Sequence, residues 1–404
     1  MKKFILLTTA FLLLLCSCGN INGDNGQNGG NPAVLTTEET TAAPEIQYAK
    51  LQFAGDVLLH TKPVAAAKLS GGAYDFTPYF QYISPYVDGD LAICNIETPI
   101  DSYGGNTKMS SYPMFNAPFE ILDAVKGMGF NMFINANNHL LDQGWTGLVK
   151  TKENFEAVGV VSDGTYRTPE EREKHTVIDV NGIKIGVIPY TDSLNGLDGV
   201  ISTEKLQYAV RKFASGNPDS IPSMLDDIAG CRDAGAEFII VALHWGAEYG
   251  DRPTAMQKEI ARALCEGGAD IIMGSHSHSM HPVEWIDSPD GRRSLCMYSL
   301  GNFFADQYDI SPPTPKTQYA ALVSAYIVRD IENGRPYIHF AEYLPTFTYR
   351  HTGAGTPNGY GYALLPAGKA SMGILKTEAD KTRTVTAFEH VVKIVGDGIS
   401  VVLV

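Results

Sequence analysis

Two apolar runs of strand length, each ending in histidine, constrain this chain more than any other feature. Phe238-Ile239-Ile240-Val241-Ala242-Leu243 ends at His244-Trp245-Gly246, and Asp270-Ile271-Ile272-Met273-Gly274 runs into Ser275-His276-Ser277-His278. Between them a helical pattern opens at Pro253, carries Met256, Ile260 and Leu264 at helical spacing, and stops at Gly267-Gly268. Strand, helix and strand in this order read as an α/β sheet. Polar residues at the carboxyl ends of such strands meet in one crevice. Gly274 and the serines around it are read as the bend that lets His276 and His278 approach a shared centre.

The same pattern recurs upstream. Leu51-Gln52-Phe53-Ala54 leads to Gly55-Asp56, with His60 four residues on, and a strand over 91–96 ends at Glu97-Thr98-Pro99. A helix over 118–129 and a strand over 130–134 lead to Asn135-Ala136-Asn137-Asn138-His139, and another helix is expected over 142–158. Strands over 176–180 and 183–190 are joined by Asn181-Gly182, a strong hairpin signal. Helical spacing returns over 221–235. Beyond the histidines, strands are expected over 283–286 and 294–300, joined by Pro289-Asp290-Gly291, then over 319–328 and 337–343, joined at Asn333-Gly334. From about Thr352 the pattern weakens to a Gly-rich loop, a helix over 384–395 and a last strand over 399–404.

The chain begins with Met1-Lys2-Lys3, an apolar-rich segment over 4–15, and Cys16-Ser17-Cys18-Gly19. A basic head, an apolar core too short to span a membrane stably and small residues before the cut make a signal peptide. Leu15-Cys16-Ser17-Cys18 resembles a lipobox, so residues 1–18 are expected to be a lipoprotein signal with Cys18 carrying lipid. Residues 19–47, rich in Gly, Asn and Thr, bury too little apolar surface to fold and read as a flexible tether. The expected place is therefore extracytoplasmic, lipid-anchored to the bacterial cell membrane. A formal charge of -14 over 404 residues argues against nucleic acid as a partner. Cys94, Cys231, Cys265 and Cys296 form no C-x-x-C pair, which argues against a cysteine zinc site. Outside the cytoplasm the four could form disulfides in any of three pairings, but each lies in or beside an apolar run, where a buried thiol is the expected role.

The residues at strand ends are Asp56, Glu97, Asn138, His139, His244, His276 and His278. Carboxylates, an amide oxygen and imidazoles together suit a first-row transition metal (Mn, Fe or Zn) better than Ca or Mg. The donor count allows one or two ions sharing a carboxylate. A metallopeptidase is disfavoured because the chain lacks His-Glu-x-x-His.

Gly55-Asp56-Val57-Leu58-Leu59, Asn95-Ile96-Glu97-Thr98-Pro99, Ala136-Asn137-Asn138-His139-Leu140-Leu141-Asp142-Gln143-Gly144, His244-Trp245-Gly246-Ala247-Glu248-Tyr249, Gly274-Ser275-His276-Ser277-His278 and Tyr298-Ser299-Leu300-Gly301-Asn302-Phe303 resemble, in order, the motifs of the CapA family. These are bacterial capsule or poly-gamma-glutamate synthesis proteins related to calcineurin-like metallophosphoesterases. The resemblance implies a four-layer α/β fold, a metallophosphoesterase-like β-sandwich flanked by helices, over residues 48–350. Residues 351–404 are then a C-terminal extension that completes the sandwich or caps its edge. It further implies that Asp56 and His278 hold one metal, that Glu97 stands where the superfamily has a bridging Asp, and that Asn138, His244 and His276 hold a second. His139 matches the catalytic His, which protonates the leaving oxygen or stabilises developing charge. His60, Asn95, Glu248 and Asn302 are assigned to the substrate pocket, and His281 to its rim. Where the superfamily has a His two residues after the first Asp, this chain has Leu58.

The activity so implied is a metal-dependent hydrolase or transferase acting on a cell-envelope polymer, either poly-gamma-glutamate or a phosphate-containing glycan. The polymer or its precursor and a capsule-synthesis complex are the expected partners. A second reading is a non-catalytic capsule-assembly protein that binds or guides an anionic polymer with the same pocket.

Overall fold

The computed structural model describes residues 46–101, 109–309, 314–330, 334–353, 356 and 359–404. The signal, Cys18, the tether up to residue 45 and Asn333 of the expected last hairpin turn lie outside them.

In chain order the strands are β1 (Ile46–Leu58), β2 (Leu91–Ile96), β3 (Met132–Ile134), β4 (Val161–Asp163), β5 (Thr176–Val180), β6 (Ile183–Thr191), β7 (Phe238–His244), β8 (Ile271–Ser275), β9 (Val283–Asp287), β10 (Arg293–Met297), β11 (Asn302–Ala305), β12 (Tyr319–Asp330), β13 (Tyr337–His351), β14 (Gly361–Pro366) and β15 (Ser400–Val401). The helices are α1 (Thr61–Ala67), α2 (Thr77–Phe80), α3 (Glu120–Met128), α4 (Gly144–Val158), α5 (Pro169–Glu173), α6 (Thr203–Leu206), α7 (Ile221–Asp233), α8 (Ala255–Glu266) and α9 (Glu378–Val395).

Two sheets result. One runs β14-β13-β12-β1-β2-β3-β4, with β11 also on β1 and β15 on β13; the other runs β5-β6-β7-β8-β10-β9. Alternation along each strand sorts the layers. Phe238, Ile240 and Ala242 of β7 face Leu51, Phe53, Leu91 and Ile93 in the core between the sheets. Ile239, Val241 and Leu243 turn the other way, onto Met224 and Ile228 of α7 and Ile260 and Leu264 of α8. On the far side, Ala54, Ala92 and Cys94 meet Leu122 and Val125 of α3 and Phe155 of α4. Helices, sheet, sheet and helices are the four layers that the sequence leads one to expect.

Several boundaries differ. The strand expected over 294–300 stops at Met297 because the chain then crosses from one sheet to the other: Leu300 donates from its amide to Gly274 O at 3.1 Å, and β11 pairs in parallel with the end of β1. Helix α4 starts at Gly144 rather than Asp142, whose carboxylate is used elsewhere. The last strand is Ser400–Val401 alone, and α9 starts six residues earlier than expected, capped by Thr377. Residues 361–366, passed over in the sequence, form edge strand β14 against the end of β13. The hairpin at Asn181-Gly182 stands as expected, with both residues at positive φ (52° and 84°). All four described cysteines are free and buried, as expected of core thiols.

Candidate metal centre

Strand geometry brings the donors to one edge. The register of β1 slips between Ala54 and Asp56 against β2 and between Asp56 and Val57 against β11, an irregularity on either side of Asp56 that re-aims it. Gly55 is required there because a Cβ would lie 1.9 Å from Gly301 O. Asp56 Oδ1 accepts from Asn95 Nδ2 at 2.7 Å and Oδ2 from the His276 amide at 3.1 Å. Glu97 follows β2, Asn138 follows β3, His244 ends β7, and His276 and His278 follow β8. The bend after β8 is not made as the sequence suggests. Gly274 lies inside β8, where a Cβ would meet Tyr298 O at 2.0 Å, and His276 and His278 themselves take positive φ (90° and 54°). Such backbone is costly for residues other than glycine and is held only by its surroundings.

Two groups of donors share Glu97. Ligand atoms of Asp56, Glu97 and His278 lie within 4.8 Å of one another, as do those of Glu97, His244 and His276. Asn138 Oδ1 sits 2.9 Å from His244 Nε2, joining the second group. Glu97 is wholly buried, and neither of its carboxylate oxygens has a hydrogen-bond partner; His276 Nδ1 is equally unpartnered. Buried polar atoms left without partners are rare, because desolvation costs about 1–3 kcal/mol each and more for charged groups. A divalent cation between these atoms satisfies them all, and the mixed N and O donors suit a first-row transition metal. The residues present therefore fit one or two such ions, with Glu97 between them.

Protonation agrees with that fit. Burial lowers His244 to about 4, and burial with the neighbouring His244 lowers His276 to about 3. His278 is lowered too, by burial and by His276. All three imidazoles are thus neutral donors near pH 7. Burial and repulsion from Glu97 raise Asp56 to about 7, and burial raises Glu97 to about 8.

Further groups hold the donors in place. His278 Nδ1 is 2.9 Å from Asn302 Oδ1, and His244 Nδ1 is 2.9 Å from Ser275 Oγ. Asn138 Nδ2 donates to Asn195 Oδ1 at 3.2 Å. Asn95 and Asn302, assigned from the sequence to the substrate pocket, are buried and address Asp56 and His278 from behind. Glu248 is exposed at the mouth, next to Tyr249, whose ring lies 5.9 Å from that of His278. Among the described residues His60 belongs to neither donor group; its ring packs edge-on against Phe115 at 5.3 Å, and burial lowers it to about 4. Leu58 fills the adjoining space with Phe115 and Ala305. His281 is buried, with Nε2 3.1 Å from Gly250 O.

His139 stands beside the donors. Its Nδ1 is 2.8 Å from Asp142 Oδ2, which also accepts from the Phe115 amide, and the Phe115 ring packs edge-on at 4.7 Å. Burial works to lower its pKa, but the Asp142 hydrogen bond and the charges of Glu97 and Asp142 outweigh it, so the net shift is upward. Sequence reading took Asp142 for a helix start and missed it as His139's partner; the three-residue spacing His139-Leu140-Leu141-Asp142 was the available signal.

Residues 50–307 match the family model described as bacterial capsule synthesis protein PGA_cap. The chain belongs to that family. All the donors and His139 fall inside the PGA_cap region, whereas β12 to β15 and α9 follow it. Capsule biosynthesis protein CapA of Bacillus anthracis is 27% identical over 281 residues, which cover 68% of this chain and 63% of that relative. PGA biosynthesis protein CapA of Bacillus subtilis (strain 168) is 28% identical over 262 residues, 63% of each chain. The chain thus spans less than two thirds of the length of these relatives. A solved structure titled as a novel phosphatase, from Mycoplasma pneumoniae, superposes with a TM-score of 0.40 at 15% identity, covering 74% of this chain and 94% of that one, too loosely to carry an argument.

Proposed function

We propose that this PGA_cap protein is a metal-dependent hydrolase or transferase of a cell-envelope polymer in capsule biosynthesis, held outside the cytoplasm by a lipid on Cys18. The carrying observation is Glu97, buried with both carboxylate oxygens unpartnered where two donor groups meet. When bound, a divalent ion supplies Lewis acidity that polarises the scissile group. The protein's own part is to keep the donors neutral or poised to ionise, to hold Asp56 and His278 by Asn95 and Asn302, and to present the His139 imidazole. With Asp142 on Nδ1, Nε2 of His139 is the face left for a leaving oxygen or for charge developing on the transferred group. Poly-gamma-glutamate and phosphate-containing glycans are the candidate substrates, which follow from the relatives' names and from the site's capacity to neutralise anionic groups.

The test is metal analysis of the full chain together with hydrolysis assays on generic phosphodiesters and on poly-gamma-glutamate. Bound Mn, Fe or Zn and turnover lost in His276→Ala and Asn138→Ala support the proposal. Metal-free protein that binds polymer equally well with both substitutions overturns it in favour of a polymer-guiding role. The anchor has its own test: Cys18→Ser is expected to move the protein out of the membrane fraction, and retention there refutes the lipid.

A further inference from the structure

The strand that ends at His244 runs on into a loop, residues 245–250, that is tied to the turn carrying His276 and His278. Trp245 donates from its amide to Ser275 O at 3.3 Å, and Tyr249 from its amide to Ser277 O at 2.7 Å. The Gly246 amide donates to Asp192 Oδ2 at 2.9 Å, and Gly250 O accepts from Ser279 Oγ and from His281 Nε2. Tyr249 takes positive φ (65°), backbone that a bulky residue adopts only where its surroundings impose it. A loop held at both ends and in the middle aims its exposed side chains in fixed directions, and these are Ala247, Glu248 and Tyr249.

Glu248 faces the centre rather than bulk water. Its charge acts on the buried Glu97 more than that of Asp142 does, and it acts on His139 as well. The Tyr249 hydroxyl lies beside its carboxylate, and the Tyr249 ring is 5.9 Å from that of His278. Across the opening Tyr112 is 77% exposed, with its ring 6.5 Å from Phe115, which packs on His139. Two tyrosines and a carboxylate therefore wall the entrance. Among the described residues every ion pair of Asp56, Glu97 and Asp142 is to a histidine, and Glu248 has none. A substrate with one anionic group at the donors thus meets no described side-chain cation for a second, and its neighbouring unit meets Glu248. Like charges set side by side in this way are strongly disfavoured, whereas hydroxyl groups donate to a carboxylate.

We infer that Glu248 is a specificity-determining residue: with Tyr249 and Tyr112 it takes an uncharged, hydroxyl-bearing unit next to the scissile bond and turns away a chain charged on that unit. Poly-gamma-glutamate carries a carboxylate on every unit, so one always falls beside the bond concerned. A glycan joined by phosphodiesters carries its charge at the linkage and hydroxyls on either side. The inference rests on the hydrolase or transferase reading above and selects the phosphate-containing glycan from its two candidates.

The experiment is calorimetric titration of the Mn-loaded full chain in detergent with a phosphodiester-linked mannose disaccharide and with tri-gamma-glutamate. His139→Ala serves as the parent chain so that the ligands are not consumed. The parent is expected to bind the disaccharide at least about tenfold more tightly than tri-gamma-glutamate. Glu248→Gln is expected to cut that preference about fivefold or more, and Glu248→Lys to reverse it. Position 248 is exposed, so Tm and metal content are expected to stay at the parent's values. Raising NaCl to about 0.5 M is expected to narrow the preference more in the parent than in Glu248→Gln. An unchanged preference across the three chains overturns the inference, as does tighter binding of tri-gamma-glutamate by the parent. Selectivity that follows residue 248, with no turnover of either ligand once His139 is restored, sinks the proposed activity alone. Turnover with selectivity indifferent to residue 248 sinks this inference alone, and a chain that holds neither metal nor ligand overturns both.

Discussion

Asp56 and Glu97 titrate near 7 and 8 in the ion-free protein, well above their ordinary 3.8 and 4.5, because burial penalises the charged forms, with repulsion from Glu97 adding at Asp56 and from Glu248 and Asp142 at Glu97. A carboxylate that binds its proton more tightly folded than unfolded loses stability as pH rises from its unfolded value to its folded one. His244, His276 and His278 act oppositely: their folded values lie below 6.5, so they lose stability as pH falls beneath that value. The two effects oppose each other below pH 6.5; above it the carboxylates act in one direction with His139, whose upward shift likewise loses stability as pH rises. Thermal unfolding of EDTA-treated protein is therefore expected to show Tm falling between pH 6.5 and 8, and added Mn or Zn is expected to reverse the fall with release of protons. A Tm that rises over this window contradicts the assignment. Glu97→Gln is expected to leave the metal-free protein at least as stable and to cut bound metal by half or more on elemental analysis. His139→Ala is expected to keep its metal and lose about 10²–10⁴-fold in turnover, the usual span for a proton-transfer group. Ser275→Ala, which removes the oxygen 2.9 Å from His244 Nδ1, is expected to weaken metal binding by about 10–100-fold in a competition titration. At this scale the identities of the donors were legible from residue type and recurrence at strand ends. Asp142, Asn195 and Ser275 were not, because their roles depend on partners across space rather than along the chain.

At the scale of elements, the centre depends on close backbone approach. Gly55→Ala would place a methyl 1.9 Å from Gly301 O inside a buried strand, where neither backbone has room to move. Forcing atoms into a filled interior costs about 1–3 kcal/mol, and a backbone clash belongs at the upper end. The expected outcome is a lowered Tm together with lost metal, since the bulge that aims Asp56 depends on the same contact. A variant with normal metal content shows that the bulge is not what positions Asp56. Gly274 gives the contrast between sequence and structure. It was read as the flexible point of a turn, and it is instead a straight strand residue pressed against Tyr298 O. The turn falls to His276 and His278, which take positive φ, a conformation histidine reaches only occasionally and more often than most residues.

For the whole molecule, the strands after residue 307 lie beyond the family match yet complete the first sheet, with β14 and β15 both pairing with β13. Leu364 and Leu365 of β14 and Val391 and Val395 of α9 are all buried. At about 2 kcal/mol per buried aliphatic side chain, these four contribute on the order of 8 kcal/mol, comparable with the ~5–15 kcal/mol net stability of a domain. A chain ending at His351 is accordingly expected to be insoluble or to lack a cooperative unfolding transition by circular dichroism; a soluble, cooperatively folding truncation disproves the dependence.

By itself the sequence determined the order of the strands and helices that carry the site, the layered α/β class, the residue types at the strand ends and the family they belong to. These follow from periodicity and from side-chain chemistry, which are local properties of a chain. Only the tertiary structure decided that His139 leans on Asp142, that the chain crosses between sheets at Tyr298 to Gly301, and that His276 and His278 make the turn after β8 themselves. Each of those depends on distances between segments far apart in sequence, and such distances are set by how two sheets pack.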